Sequence, residues 1–127
     1  MTSQETATVA QFVRDIDDRV AGIYARFSRF SPEYELREAQ AQSFKDAGYA
    51  GGMPQQVAAF ANRAGMAAQP ATSLILSQAS AMRAGLAVLG DLRMRKYEVM
   101  AAASFNDAQA AYTSIDAAIT AANQGLP

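Results

Sequence analysis

The sequence predicts an all-α fold of about five helices, on three observations. Apolar residues recur at three- and four-residue spacings through its long segments, which is helical periodicity. Half of the chain (50%) is apolar, much of it alanine, the strongest helix former and a residue that buries little surface. Serine, proline and glycine stand where helices should begin and end. Period-two alternation persists nowhere, so no strand is expected. The expected architecture is an antiparallel helical hairpin or bundle around one long helix at about 68–103, in one elongated domain covering 1–127.

The first helix is expected over about Thr6–Phe27, within an amphipathic N-terminal segment of residues 1–30. Val9, Phe12, Val13, Ile16, Val20, Ile23, Tyr24 and Phe27 lie on one side of it. On the other side Arg14 with Asp18 and Asp15 with Arg19 have i,i+4 spacing. Ser31-Pro32-Glu33 then reads as a helix start, with Ser31 as N-cap and proline in the first turn, and predicts a second helix over about Pro32–Ala47. Gly48 supplies a left-handed C-cap, and Tyr49-Ala50-Gly51-Gly52 makes the turn.

Met53-Pro54 opens a third helix that Gly65 ends in the same way. The spacing Phe44, Gly48, Pro54 is echoed by Phe60, Gly65, Pro70, which is read as shared capping chemistry more than as an internal repeat. The fourth helix carries one apolar stripe of Ile75, Ala79, Met82, Leu86 and Leu89 and a neighbouring stripe of Leu74, Ala81, Gly85, Val88 and Leu92. So wide an apolar surface in a short chain predicts self-association or a bound partner. Gly85 and Gly90 inside it imply close helix crossings. Ser104 with Asp107 resembles a capping box, so a C-terminal helix is expected at about Phe105–Ala122 within residues 104–123, with Ala108, Ala111, Tyr112, Ile115 and Ile119 inward and a frayed end after it.

Composition removes several function classes. The 127 residues include no cysteine and no histidine, so disulfides, thiolate nucleophiles and the usual zinc ligands are absent, as is the commonest proton shuttle near neutral pH. Eleven basic and twelve acidic side chains give a net charge of −1, which provides no general field for nucleic acid or anionic lipid. No signal-peptide pattern and no run of roughly 20 uninterrupted apolar residues is evident, so no membrane association is expected.

No pattern announces a reaction. No Ser-His-Asp, Ser-Lys or paired-acid spacing appears, and Gly48–Gly52 follows a helix and lacks the lysine of a phosphate loop. Asp15, Asp17 and Asp18 have arginine neighbours competing for any cation. The chain is therefore read as non-enzymatic, with no cofactor and no metal. Arg93, Arg95 and Lys96 are the one basic cluster, spread around a helix without interleaved aromatics, and a solvated helix turn fits them better than a nucleic-acid site. The candidate partner-binding residues are Tyr49, Met53, Phe60 and Met66, large apolar side chains at the turns. They either form a docking surface or plug the open end of the bundle.

The segments Glu35-Leu36-Arg37-Glu38-Ala39-Gln40-Ala41, Ala47-Gly48-Tyr49-Ala50-Gly51, Val57-Ala58-Ala59-Phe60-Ala61, Ala64-Gly65-Met66 and Ile75-Leu76-Ser77-Gln78-Ala79, continued by Gly90, Arg93, Arg95 and Lys96, carry a resemblance over about residues 34–103. The chain resembles small helical proteins of tailed bacteriophages and prophages whose genes lie beside tail-fibre genes. That resemblance implies a tail or tail-fibre accessory protein, either a virion component or a fibre-assembly factor in the host cytoplasm, whose partner is a phage tail or tail-fibre protein. It brings no catalytic residues. The alternatives are a small DNA-binding regulator using Arg93, Arg95 and Lys96, or an unrelated cytoplasmic helical adaptor.

Overall fold

The computed structural model describes every residue from Met1 to Pro127 and is all-α: α1 Ser3–Ser28, α2 Ser31–Asp46, α3 Gln55–Ala64, α4 Ala68–Met94, α5 Lys96–Ala101 and α6 Phe105–Gln124. Six helices stand where about five were predicted because the long fourth helix tightens at Arg95. There Arg95 N–H donates to the Leu92 carbonyl at 3.1 Å, and the Arg95 carbonyl accepts from Glu98 N–H at 2.9 Å, both across three residues. Arg95 keeps helical dihedrals (φ −62°, ψ −11°), so α5 continues α4 after one tightened turn and ends before the extended Ala102.

The starts of α1 and α2 differ from the sequence expectation. Thr2 and Glu5 form a reciprocal capping box, with Glu5 N–H on Thr2 Oγ1 at 3.1 Å and Thr2 N–H on Glu5 Oε1 at 2.9 Å, so α1 begins at Ser3 and not Thr6. The backbone N–H of Thr2, helped by its hydroxyl, lowers the Glu5 carboxyl pKa. At α2 the N-cap position belongs to Phe30, and no side chain caps it. Ser31 is already helical, and Pro32 in the first turn supplies the start signal by itself. Ser104 does cap α6, accepting from Asp107 N–H at 3.1 Å.

By their internal contacts the helices sort into two compact units, Met1–Phe27 with Ala84–Leu126, and Ser28–Arg83, the division falling within α4. In the discontinuous unit, α1 and α6 run parallel: Phe12 stacks on Tyr112 at 4.4 Å, Arg19 binds Asp116, and Arg26 reaches Asn123 at 2.8 Å. The strand of helix formed by the end of α4 and by α5 runs antiparallel to α1, since Asp17 meets Lys96 at 2.9 Å and Tyr24 meets the Leu86 carbonyl at 2.8 Å. Ile16, Val20, Ile23, Leu89, Val99, Ala108, Ile115 and Ile119 are buried in this three-helix core. The predicted i,i+4 pairs of α1 do not form, because a residue on α6 offers Arg19 a better acceptor and Arg14 turns to Gln11 at 2.8 Å.

Both α4 glycines are close-approach positions, Gly90 against α1 as expected and Gly85 against the tail that follows α6 and not another helix. A Cβ at Gly90 would lie 2.9 Å from the Tyr24 hydroxyl, and one at Gly85 only 2.2 Å from Leu126 Cδ2. The C-terminus is thus seated where fraying was expected: Leu126 fills the notch that Gly85 leaves. An alanine at position 85 gains about 1 kcal/mol of helix propensity but must evict Leu126, whose burial contributes a similar amount. Gly85→Ala is therefore expected to be near neutral in the intact chain and stabilising by about 1 kcal/mol in a Leu126→Ala background. Urea denaturation of the four proteins measures that coupling; additive free energies would refute the packing of Leu126 on Gly85.

In the continuous unit α2 runs antiparallel to the first half of α4, with Arg83 on Glu38 at one end and Phe44 with Ile75 in a shared cluster toward the other. The start of α3 lies against α2, where the Gln40 carboxamide oxygen accepts from Gln56 N–H at 2.7 Å. Ala41, Phe44, Val57 and Ile75 form the centre of this unit. Thr72 is fully buried and donates its hydroxyl to the Ala68 carbonyl at 2.8 Å, so it presents its methyl group to the interior.

Ala68–Ala101 is long and apolar enough to cross a bilayer by length and composition, with a window of mean hydropathy 1.2 of which 11% is buried. The residue-by-residue reading did not anticipate this. Alanine and glycine dilute the polar side chains of Thr72, Ser73, Ser77, Gln78, Ser80 and Arg83 in such an average.

Candidate functional site

The four turn residues are placed by helix-ending geometry. Gly48 (φ +65°) follows the C-cap Ala47, and Tyr49 N–H donates to the Phe44 carbonyl at 2.9 Å while Gly48 N–H donates to that of Lys45, also at 2.9 Å. This is a Schellman motif. Gly65 (φ +67°) does the same for α3, sending Met66 N–H back to the Ala61 carbonyl at 2.9 Å. The echo between the two segments is therefore common capping chemistry.

Tyr49 is the one non-glycine residue with positive φ, +63°. A left-handed tyrosine costs on the order of 1–2 kcal/mol. The ring offsets it by meeting Phe44 edge-on, with centroids 5.3 Å apart and planes at 89°. Tyr49, Met53 and Phe60 all lean, half-buried, on the Ala41–Phe44–Val57–Ile75 cluster. The structure so brings three of the four candidates together. Met66 is half-buried beyond the end of α3.

Beside this cluster α2 and α4 enclose an open groove of about 510 Å³, lined by Glu35, Glu38, Gln42 and Lys45 from one helix and Leu76, Ser80 and Arg83 from the other. Arg83 closes on Glu38, which raises the arginine pKa. The groove holds acids at one end and Lys45 at the other.

The basic cluster is committed to carboxylates. Arg93 Nε donates to Asp17 at 2.8 Å, Lys96 Nζ to both oxygens of Asp17 at 2.9 and 3.1 Å, and Arg95 to Glu98 at 3.1 Å. Arg95 pairs with Glu98, one turn on. The Lys96 hydrogen bond above all, then that of Arg93, lowers the Asp17 pKa below the ordinary carboxylate value. Asp17 is thus an ion-pair anchor, unlike the cation ligand considered for it. Tyr112 is its opposite: burial first, then the nearby Asp15 charge, pushes the phenol pKa up.

Sequence reasoning placed Leu74 and Val88 on an apolar stripe in need of cover but missed the other large apolar side chains left at the surface. Phe30 and Leu36 are 47% and 48% exposed in the continuous unit, with Leu74 at 36%. In the other unit Val88, Met94, Tyr97 and Met100 are 44–57% exposed, all on α4 and α5. Neither α1 nor α6 carries an exposed large hydrophobic residue. The signal was present in the spacing Met94, Tyr97, Met100, but the adjacent basic residues drew the reading toward charge.

The chain is similar to a protein of Haemophilus phage HP1 (strain HP1c1) described as an uncharacterized 23.3 kDa protein in the lys 3′ region, with 39% identity over 98 residues. The alignment covers 77% of this chain and 49% of the phage protein, so the chain spans about half the length of that relative. No protein-family profile and no solved structure matches. The likeness supports a bacteriophage origin for this all-α chain.

Proposed function

We propose that this chain is a non-enzymatic accessory protein of a phage tail or tail fibre, a structural component or a fibre-assembly factor, that works by binding a tail or fibre protein through helix faces. The observation that carries the reading is the 39% identity to a Haemophilus phage HP1 protein. The resemblance of residues 34–103 to proteins encoded beside tail-fibre genes narrows it to the tail. The exposed Phe30, Leu36 and Leu74 and the half-buried turn residues Tyr49, Met53, Phe60 and Met66 supply apolar surface for such a partner. Binding by apolar burial fits a net charge of −1. The regulator alternative is less favoured, because Arg93, Arg95 and Lys96 would have to leave Asp17 and Glu98 to meet phosphates.

Mass spectrometry of purified particles and of tail and fibre complexes isolated from a producing host tests the proposal. The expected result is this chain in fixed ratio with a tail or fibre protein, in the particle if it is a component and only in the host complexes if it is an assembly factor. Its absence from both, or its recovery on DNA with steep salt dependence, would overturn the reading.

A further inference from the structure

The side of α2 that closes the continuous unit extends past its cover. Phe30, Tyr34, Arg37, Ala41 and Phe44 recur at four- and three-residue spacings, so they share one side of the helix. At the C-terminal end Ala41 and Phe44 are buried in one cluster with Val57 and Ile75. Toward the N-terminal end the same side opens. The Arg37 side chain is 24% exposed, Tyr34 is half-buried and Phe30 is 47% exposed.

Two guanidinium groups stand on this open end, each against an aromatic ring. Arg29 lies over Phe30 at 5.1 Å, Arg37 lies over Tyr34 at 5.9 Å, and the two rings meet edge to face with centroids 6.4 Å apart. Arg29 is exposed and takes part in no ion pair. Arg37 has one, from Nη2 to Glu33 at 3.3 Å, and the glutamate is 49% exposed, the kind of surface pair that contributes little. The Arg37 Nε–H is buried and has no acceptor. Glu35 and Glu38 line the groove with α4, where Glu38 holds Arg83, so neither supplies one.

An arginine edge with one long partner on Nη2 and an empty donor at Nε is a fork that a single carboxylate fills with two hydrogen bonds. We infer that the open end of α2 is a docking site for an acidic residue of a partner protein, an aspartate or glutamate with an aromatic or aliphatic neighbour. The partner carboxylate displaces Glu33 and bridges Nε and Nη2 of Arg37. Arg29 adds a second positive charge, and the apolar neighbour lies against Phe30 and Tyr34. The inference rests on the proposed function and names the chemistry of its partner: apolar burial supplies area, and the fixed acid supplies register.

A nuclear magnetic resonance titration of the isotope-labelled full chain tests it, with the blocked dipeptide acetyl-Phe-Glu-amide and its neutral counterpart acetyl-Phe-Gln-amide as probes. No tail protein is needed, so failure here leaves the tail reading to the particle experiment. The acidic probe is expected to bind in the millimolar range, roughly tenfold tighter than the neutral one, and to shift the Arg37 Nε–H resonance as that donor gains an acceptor. Arg37→Lys keeps the charge but loses the fork, and should weaken the acidic probe roughly tenfold. Arg29→Gln, at an exposed position, should weaken it about threefold. Glu33→Gln removes the competing carboxylate and should strengthen it about twofold. Thermal melting confirms that each variant is folded. No saturable shift with the acidic probe, equal affinity for both probes, affinity unchanged by both arginine substitutions, or tighter binding of a thymidine oligonucleotide would overturn the inference.

Discussion

Leu89→Ala is expected to destabilise the protein by about 2–5 kcal/mol and to lower the melting temperature by on the order of 10 °C. Leu89 is fully buried and is the one buried residue that α4 contributes to the discontinuous unit between Ala84 and Met94. Its removal leaves a cavity facing the core of α1 and α6. The neighbouring Val88, 50% exposed, provides the contrast: Val88→Ala should change stability by no more than about 0.5 kcal/mol. Chemical denaturation of both variants checks the pair, and equal losses would mean that the burial of this helix is misassigned.

The second large effect is expected at Asp17. Its carboxylate holds both Arg93 and Lys96, and the Lys96 side chain is only 12% exposed. Asp17→Asn removes the charge but leaves Lys96 confined, so a loss of about 1–2 kcal/mol is expected at neutral pH, less than for a fully buried pair because Asp17 itself is 34% exposed. The pH dependence has a definite sign. A carboxyl whose folded pKa lies below its unfolded value contributes stability that is fully present above the unfolded pKa, near 4 for an aspartate, and is lost as pH falls through the lower folded value. Wild type should therefore weaken across that acid window more than Asp17→Asn does. Parallel acid titrations followed by circular dichroism decide it; superimposable curves would show that Asp17 carries no linked proton.

Helix existence was legible because periodicity and caps are local. The stripe from Val9 to Phe27 and the inward set on α6 are the residues the structure buries or half-buries, and Gly48, Gly65 and Ser104 act at the ends where they were expected to. Thr2-x-x-Glu5 was equally local and was overlooked. Ser31 was misread because proline one residue on makes a strong start without any side-chain cap. Charge partners were less legible, since i,i+4 spacing says which groups are near on one helix but not which group on another helix wins. Arg19 prefers Asp116, and Asp17, a neighbour of other acids in sequence, becomes the acceptor for two bases 76 and 79 residues away. Apolar exposure was the least legible. Leu74 and Val88 fit a helix stripe as well as Ile75 and Leu89 do, and only the number of neighbouring helices decides which stripe is covered.

The division of the chain places Ser28–Arg83 as an insertion between the two parts of the other unit. On a ribosome, α1 is made before the rest of its unit and is the last to find its partners, since Leu89, Val99, Ile115 and Ile119 all follow the insertion. Until then Ile16, Val20, Ile23 and Phe27 line an open apolar face on a nascent segment. The inserted unit closes on contacts from its own continuous stretch, and its folding shortens the loop that α1 must bridge, which lowers the entropy of that closure. Order of synthesis and order of assembly thus run in opposite directions for this helix, and a chain interrupted before α6 leaves the apolar face of α1 uncovered.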